Sequence, residues 1–133
     1  MKSRTYTGIN IQWPISEEIT SGRKTIETRT YALPEKFLNQ EMLLIETPGK
    51  SQAFKSRIVA IIKFVSSTEY KSKTEFYKDV SKHLVDKNSP WAWKDKKKYG
   101  WGVKVIKTFS PPIEFKGKKG IVYTKNISVD HWN

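Results

Sequence analysis

The chain has 133 residues and a formal net charge of +12 at pH 7, and its length suits a single domain spanning 1–133. It has no cysteine and only two histidines, which excludes disulfide frameworks, thiol nucleophiles and thiolate zinc sites, so we expect neither a metal nor another cofactor. The longest apolar run, at 58–62, is far too short to cross a bilayer, and the N-terminus lacks a signal-peptide pattern. We therefore expect a cytoplasmic protein without a membrane partner.

The positive charge is concentrated in the last third of the chain. Residues 90–125 contain ten lysines and two acidic residues, whereas the charges of residues 1–89 are far more evenly balanced. A field of this sign attracts polyanions, of which nucleic acid is the most common in cells. A lysine-rich surface that serves only solubility has the same composition, so charge alone leaves both interpretations open.

The first elements are a strand and a short helix. Alternating apolar residues at 9–13 predict the strand, and Pro14 then suits the first turn of a helix. Ile15 and Ile19 lie four residues apart on one helix face, and Gly22 is well placed to end the helix in the left-handed conformation.

The remaining elements are mostly strands. A helix is predicted over 73–86. Pro111 and Pro112 are expected to stop the strand at 101–109. We expect a disordered tail at 127–133 and an irregular loop or short helical turn at 88–100. The strands are predicted at 24–30, 41–47, 56–65, 101–109 and 118–126. The fold class is therefore α+β, a curled sheet of about five to six strands with an N-terminal helix and an inserted helix.

The stretch after the first helix carries the main motif. Gly22, Lys24, Glu27 and Arg29 have the spacing G-x-K-x-x-E-x-R. Alternation places Glu27 and Arg29 on one strand face, where a carboxylate and a guanidinium can pair or share a ligand. A half-exposed strand with an ion pair along it has the same pattern, so spacing alone leaves a purely structural role open.

A second pattern follows towards the C-terminus. Tyr99 and Trp101 lead a strand, Pro112 lies in the turn after it, and Gly117 and Gly120 lie on either side of the start of the last strand. Together with the first motif, this pattern resembles the ASCH domain family, whose domains have a PUA-like β-barrel. The resemblance covers residues 8–125.

The resemblance implies a cleft between the N-terminal helix and the barrel, lined by Lys24, Glu27 and Arg29 and facing RNA or a modified nucleobase. It also implies alternatives, because some family members are hydrolases. One branch hydrolyses N4-acetylcytidine with a Lys, a Thr three residues later and a more distant Glu, but Glu27 occupies the position of that Thr. Metal-dependent RNA cleavage is the other activity. If the protein is an enzyme, Lys24 and Glu27 are its expected catalytic pair.

An aromatic and basic segment supplies the other candidate contacts with nucleic acid. Aromatic rings stack on bases and lysines neutralise phosphates, although some of these rings can instead belong to the core. The predicted contacts are Trp93, Lys96, Lys97, Lys98, Tyr99, Trp101 and Lys104.

The sequence therefore predicts a nucleic-acid-binding domain. The alternatives are a hydrolase of the same family, acting on a modified nucleoside or on RNA, and a basic module that binds an acidic protein. The sequence leaves the oligomeric state open.

Overall fold

The computed structural model describes residues 2–49, 54–94, 96–117 and 121–131. These residues form six strands, three short α-helices and one turn of 3-10 helix, Glu35–Phe37. The strands are β1 (Lys2–Gln12), β2 (Ile26–Arg29), β3 (Glu41–Thr47), β4 (Arg57–Tyr70), β5 (Lys98–Glu114) and β6 (Tyr123–His131), and the helices are α1 (Ile15–Thr20), α2 (Lys73–Lys78) and α3 (Val80–His83). No helix in this part of the chain is long and apolar enough to cross a membrane.

All six strands belong to one mixed sheet with the order β2-β5-β4-β3-β1-β6. β1 and β3 pair in parallel, and the other neighbouring strands pair in antiparallel fashion. A parallel pair needs a long crossover connection, and here the crossover contains α1 and β2. The motif of Gly22, Lys24, Glu27 and Arg29 therefore lies within that crossover, and β2 reaches the sheet at the far edge, beside β5.

Side chains link the two edges of the sheet. The segment after β2 reaches β6, where the hydroxyl groups of Tyr31 and Tyr123 share a hydrogen bond of 3.3 Å. The ring of Tyr123 also packs on Phe37, with 4.8 Å between the ring centroids. The result is the small α+β barrel that the sequence predicts.

β3 is buried on both faces. Successive side chains of a strand point to opposite faces, so Met42 and Leu44 join one apolar cluster while Leu43 and Ile45 join another. The first cluster also contains Ile19 of α1. This packing holds the short helix against the sheet.

α1 and the turn after it follow the sequence prediction. Gly22 has φ of +83°, in the left-handed region that glycine adopts without strain. Beyond it, the Lys24 N–H donates to the Glu18 carbonyl (2.8 Å) and the Thr25 N–H donates to the Lys82 carbonyl (2.9 Å). The turn therefore joins α1, β2 and α3 at one place.

The single helix predicted over 73–86 is wrong, because α2 and α3 take its place and meet at Asp79. The Asp79 carboxylate accepts a hydrogen bond of 2.7 Å from Tyr70 Oη at the end of β4. Leu84 then has φ of +59°, and the chain leaves the helix. The apolar spacing of 73–86 fits one continuous helix. It carries no information about this tertiary contact, so the break at Asp79 was missed.

β5 is longer than predicted at both ends, and Pro111 and Pro112 do not stop it. Its pairing with β4 jumps from Thr108 to Ile113. The prolines thus lie in an irregular stretch, where no ladder hydrogen bond from their nitrogens is required.

The last strand also lies later than predicted. β6 pairs with β1, and Ile127 and Val129 are buried in the second apolar cluster. The expected disorder is therefore wrong for 127–131, because alternate residues there cover the core. Residues 118–120, including the predicted Gly120, and residues 132 and 133 lie outside the described residues.

Candidate functional site

A cavity of about 740 Å³ opens between α1, β2 and the segment after α3. Lys24, Glu27 and Arg29 line it, together with Glu18 of α1 and Trp91 of the segment after α3. We call this cavity the cleft. Small-molecule sites commonly occupy about 300 to 1,000 Å³, so the cleft has the size of a ligand pocket.

Glu27 lies between two cations in the wall of the cleft. Arg29 Nη2 donates a hydrogen bond of 3.1 Å to Glu27 Oε2. Lys24 Nζ lies 3.8 Å from the other oxygen, Oε1. The side chain of Glu27 is only 7% exposed, so it is an almost fully buried carboxylate with a cation on each side.

Lys24 is buried more deeply than a surface lysine. It precedes β2, so strand alternation does not direct its side chain away from Glu27. Its amine donates to the carbonyl oxygen of His83 at 2.5 Å. Burial lowers the pKa of Lys24, while the Glu27 carboxylate acts in the opposite direction. The amine is therefore easier to deprotonate than that of an exposed lysine.

Trp101 supports Arg29 from the core. The Arg29 guanidinium carbon lies 5.6 Å from the centroid of the Trp101 ring, and Trp101 Nε1 donates to the Tyr31 carbonyl at 3.3 Å. Trp101 is fully buried, so the prediction that it stacks on a base is wrong. Tyr99 pairs with Arg29 across β2 and β5 and packs on the core half-buried, outside the lining of the cleft.

Lys98 and Trp91 also line the cleft. Lys98 is buried, lines the cleft and donates from Nζ to the Trp91 carbonyl oxygen at 2.8 Å. Burial and the nearby Lys94 both lower the pKa of Lys98. The Trp91 side chain is left 43% exposed at the cleft. Lys98 therefore differs from the surface phosphate contact that the lysine run predicts.

The other lysines of the run lie elsewhere. Trp93, Lys96 and Lys97 line a second cavity of about 440 Å³, which we call the groove. Lys104 is exposed, pairs with Lys63 across β5 and β4 and lines neither cavity. Of the ten predicted site residues, the structure thus brings together four in the cleft, namely Lys24, Glu27, Arg29 and Lys98.

The cleft also contains residues that are not among the predicted contacts. Trp91 belongs to the aromatic and basic segment whose rings the sequence indicates for stacking, as Trp93 does. Tyr31, Glu18 and Asp86 had no such signal, because they come from elements far apart in the chain. Only the crossover of α1 and β2 places them around one cavity.

The ionisable side chains that line the cleft are balanced in charge, in contrast to the whole chain. The described lining contains three cationic and three carboxylate side chains, which are Lys24, Arg29, Lys98, Glu18, Glu27 and Asp86. The cleft is therefore suited to an uncharged, polar ligand rather than to a phosphate.

One buried acceptor in the cleft wall lacks a donor. Asn10 donates from Nδ2 to the Ile121 carbonyl at 2.7 Å, but its Oδ1 has no hydrogen-bond partner among the described residues. Asn10 lines the cleft. Within the described residues, no cluster of three or more histidine or acidic side chains is arranged to hold a metal ion.

No family model matches the sequence, and no curated protein matches it. The structure, however, is similar to the crystal structure of ASCH from Zymomonas mobilis, with a TM-score of 0.70 and 14% identity over 90% of this chain and 86% of that chain. Two mutant forms of the Zymomonas mobilis protein match with TM-scores of 0.69 and 0.65, each at 14% identity and each covering 92% of this chain, with 90% and 88% of their own chains covered. The chain therefore has the ASCH fold, and the resemblance first seen in the motifs is confirmed at the level of the fold.

Proposed function

We propose that the protein binds single-stranded RNA and holds one base, plain or modified, in the cleft. The observation that carries the proposal is the buried Glu27 carboxylate, held between Lys24 and Arg29 in a cleft whose charges balance. A carboxylate accepts hydrogen bonds from the exocyclic amino and ring N–H groups of bases, and a guanidinium donates to their carbonyl and ring nitrogen acceptors. Glu27 and Arg29 together thus match the edge of an uncharged base.

Aromatic side chains at the cleft support the same ligand. Trp91 is 43% exposed and Tyr31 is 40% exposed, and both line the cleft. Single-stranded RNA is recognised largely through unstacked bases that stack on such rings. The ASCH fold adds support, because the resemblance to the ASCH family implies that this cleft faces RNA or a modified nucleobase.

Trp91→Ala tests the proposal. Anisotropy of a fluorescein-labelled single-stranded RNA measures the affinity, and the substitution is expected to weaken binding about 5- to 150-fold, as the loss of one stacked base does. Trp13→Ala is the matched control, because Trp13 is 40% exposed but does not line the cleft. Equal affinities for the two variants, or no binding by the unaltered protein at low salt, would rule the proposal out.

A second candidate is hydrolysis of the bound nucleoside. The deeply buried Lys24 amine beside Glu27 favours it, because burial lowers the pKa of Lys24 and such an amine releases a proton more readily than that of an exposed lysine. Chromatography of a panel of modified nucleosides after incubation detects turnover. Lys24→Met is expected to abolish any turnover, and a panel without product contradicts this candidate while leaving binding intact.

A further inference from the structure

The groove lies beside the cleft but has a different character. It is formed by the end of β4, the start of α2 and the segment before β5. Among the described residues that line it, four lysines stand against the single carboxylate of Glu69, a formal excess of three positive charges. The lysines are Lys71, Lys73, Lys96 and Lys97.

Among the described residues that line the groove, Glu69 makes one ion pair with a lysine, and that pair is weak. Lys97 Nζ lies 3.7 Å from Glu69 Oε2, and the Lys97 side chain is 72% exposed. Exposed pairs of this kind are worth little and leave the lysine free to exchange its partner for a phosphate. The groove therefore keeps a strong attraction for anions, whereas the charges of the cleft cancel.

A single segment separates the two cavities. Trp91 and Lys98 line the cleft, whereas Trp93, Lys96 and Lys97 line the groove. One hydrogen bond holds this segment to α2, because the Trp93 N–H donates to Tyr77 Oη at 3.2 Å, and a second lies within the segment, where Lys98 donates to the Trp91 carbonyl. The cleft and the groove are thus lined by neighbouring residues of one short stretch of the chain.

We propose that the groove binds the phosphodiester backbone next to the base that occupies the cleft, so that the ligand is a base within a single strand rather than a free nucleoside. This inference rests on the proposed function of the cleft. The neutral cleft selects the base, and the lysines of the groove bind the phosphates of the neighbouring nucleotides, while Trp93 offers a surface beside them. An acidic protein segment also carries negative charge but has no base for the adjacent cleft, so the pairing of the two cavities favours nucleic acid.

The test combines Lys73→Ala with Lys96→Ala. A labelled single-stranded RNA of about 12 nucleotides, within the usual range of single-strand sites, is titrated over a series of salt concentrations. The double variant is expected to reduce the slope of log affinity against log salt by about 1.4, because each phosphate contact in a single strand contributes about 0.7. Its affinity for free adenosine and cytidine, followed by tryptophan fluorescence, should match that of the unaltered protein.

The control combines Lys36→Ala with Lys116→Ala, which removes the same charge from two exposed lysines that line neither cavity. This variant should retain the salt slope of the unaltered protein. If the groove and control variants have the same slope while Trp91→Ala still loses RNA, the groove inference fails and the function of the cleft stands. If the unaltered protein binds no RNA, both fail. Binding of a poly-glutamate peptide as tightly as RNA, with the same loss in the groove variant, overturns the assignment to nucleic acid.

Discussion

The amine of Lys24 lies 3.8 Å from Glu27 Oε1, with 3% and 7% of the two side chains exposed. A buried pair of this kind is tolerated because each charge has further partners: Lys24 donates to the His83 carbonyl and Glu27 accepts from Arg29. These contacts hold the Glu27 carboxylate at the wall of the cleft. Arg29 lies on β2 with it, and Lys24 is held in turn by the His83 carbonyl at the end of α3. It therefore links the stability of the fold to the chemistry of the cleft.

Glu27→Gln should destabilise the protein strongly. The substitution leaves the Lys24 amine buried without its carboxylate, and breaking a buried pair in this way costs about 3 to 5 kcal/mol in the free energy of unfolding. Urea denaturation measures the change. Glu41→Gln is the matched control, since Glu41 pairs with Arg4 at 3.4 Å on the surface, and its loss should cost less than about 1 kcal/mol. Similar costs for the two variants would show that the buried pair contributes nothing special.

Arg29→Lys should weaken RNA binding about tenfold, equivalent to about 1.4 kcal/mol. A lysine keeps the charge but cannot present the planar, multiple donors of the guanidinium, nor pack in the same way on Trp101. Anisotropy titration with the same labelled RNA provides the measurement. Arg23→Lys serves as the control, because Arg23 is exposed, pairs with Glu17 and does not line the cleft. An unchanged affinity for Arg29→Lys would mean that the guanidinium makes no contact with the ligand.

The stability of the protein should fall as the pH drops below about 6.5, the ordinary pKa of histidine. Burial lowers the pKa of His83, so the unfolded chain binds a proton at a higher pH than the folded one does. The His83 Nδ1 accepts a hydrogen bond from the Val85 N–H at 3.0 Å, and protonation removes that acceptor. The stability that the neutral His83 ring contributes is therefore fully present above the pKa of the unfolded chain. It is lost as the pH falls towards the lowered pKa of the folded protein.

Urea denaturation at pH 7.5, 6.5 and 5.5 measures this loss, since these values bracket the ordinary pKa of histidine. They also lie above the range in which most carboxylates titrate. His83→Gln removes the titrating ring and should flatten the dependence over this window, at some cost in stability at every pH. A dependence as steep as that of the unaltered protein would assign the effect to another group.

Gly22→Ala should cost about 1 to 2 kcal/mol, because a residue with a Cβ is strained in the left-handed region. Steric contact makes no contribution, since apart from Gly22 and its two chain neighbours no atom of the described residues lies within 4 Å of the position that a Cβ at Gly22 would take. Gly22→Asn should cost less, because asparagine tolerates this conformation. Thermal or urea denaturation separates the two. Equal costs for the two variants would indicate that the left-handed backbone conformation is not the cause of the lost stability.

The local sequence was sufficient for the elements whose signals are local. α1, the left-handed turn at Gly22 and β3 follow from capping preference, glycine conformation and a run of apolar residues, and the structure has them where these signals predict. The motif of Gly22, Lys24, Glu27 and Arg29 also led to the correct fold, because its spacing resembles that of the ASCH family.

Contacts between distant segments decided the rest. Tyr70 at the end of β4 holds Asp79 where the predicted helix breaks, and pairing with β1 orders the chain up to residue 131. Hydrophobic periodicity describes one segment at a time, so it has no means to register such contacts.

The division of the basic segment is the clearest case. The sequence determined that its rings and lysines stand together, but not that Trp101 is part of the core, that Lys98 and Trp91 face the cleft, or that Trp93 and Lys96 face the groove. Those assignments depend on how β5 begins between β2 and β4 and on what packs against each side of the segment. The charge of a cavity is the sum of side chains from separate elements, and only the folded chain brings those elements together.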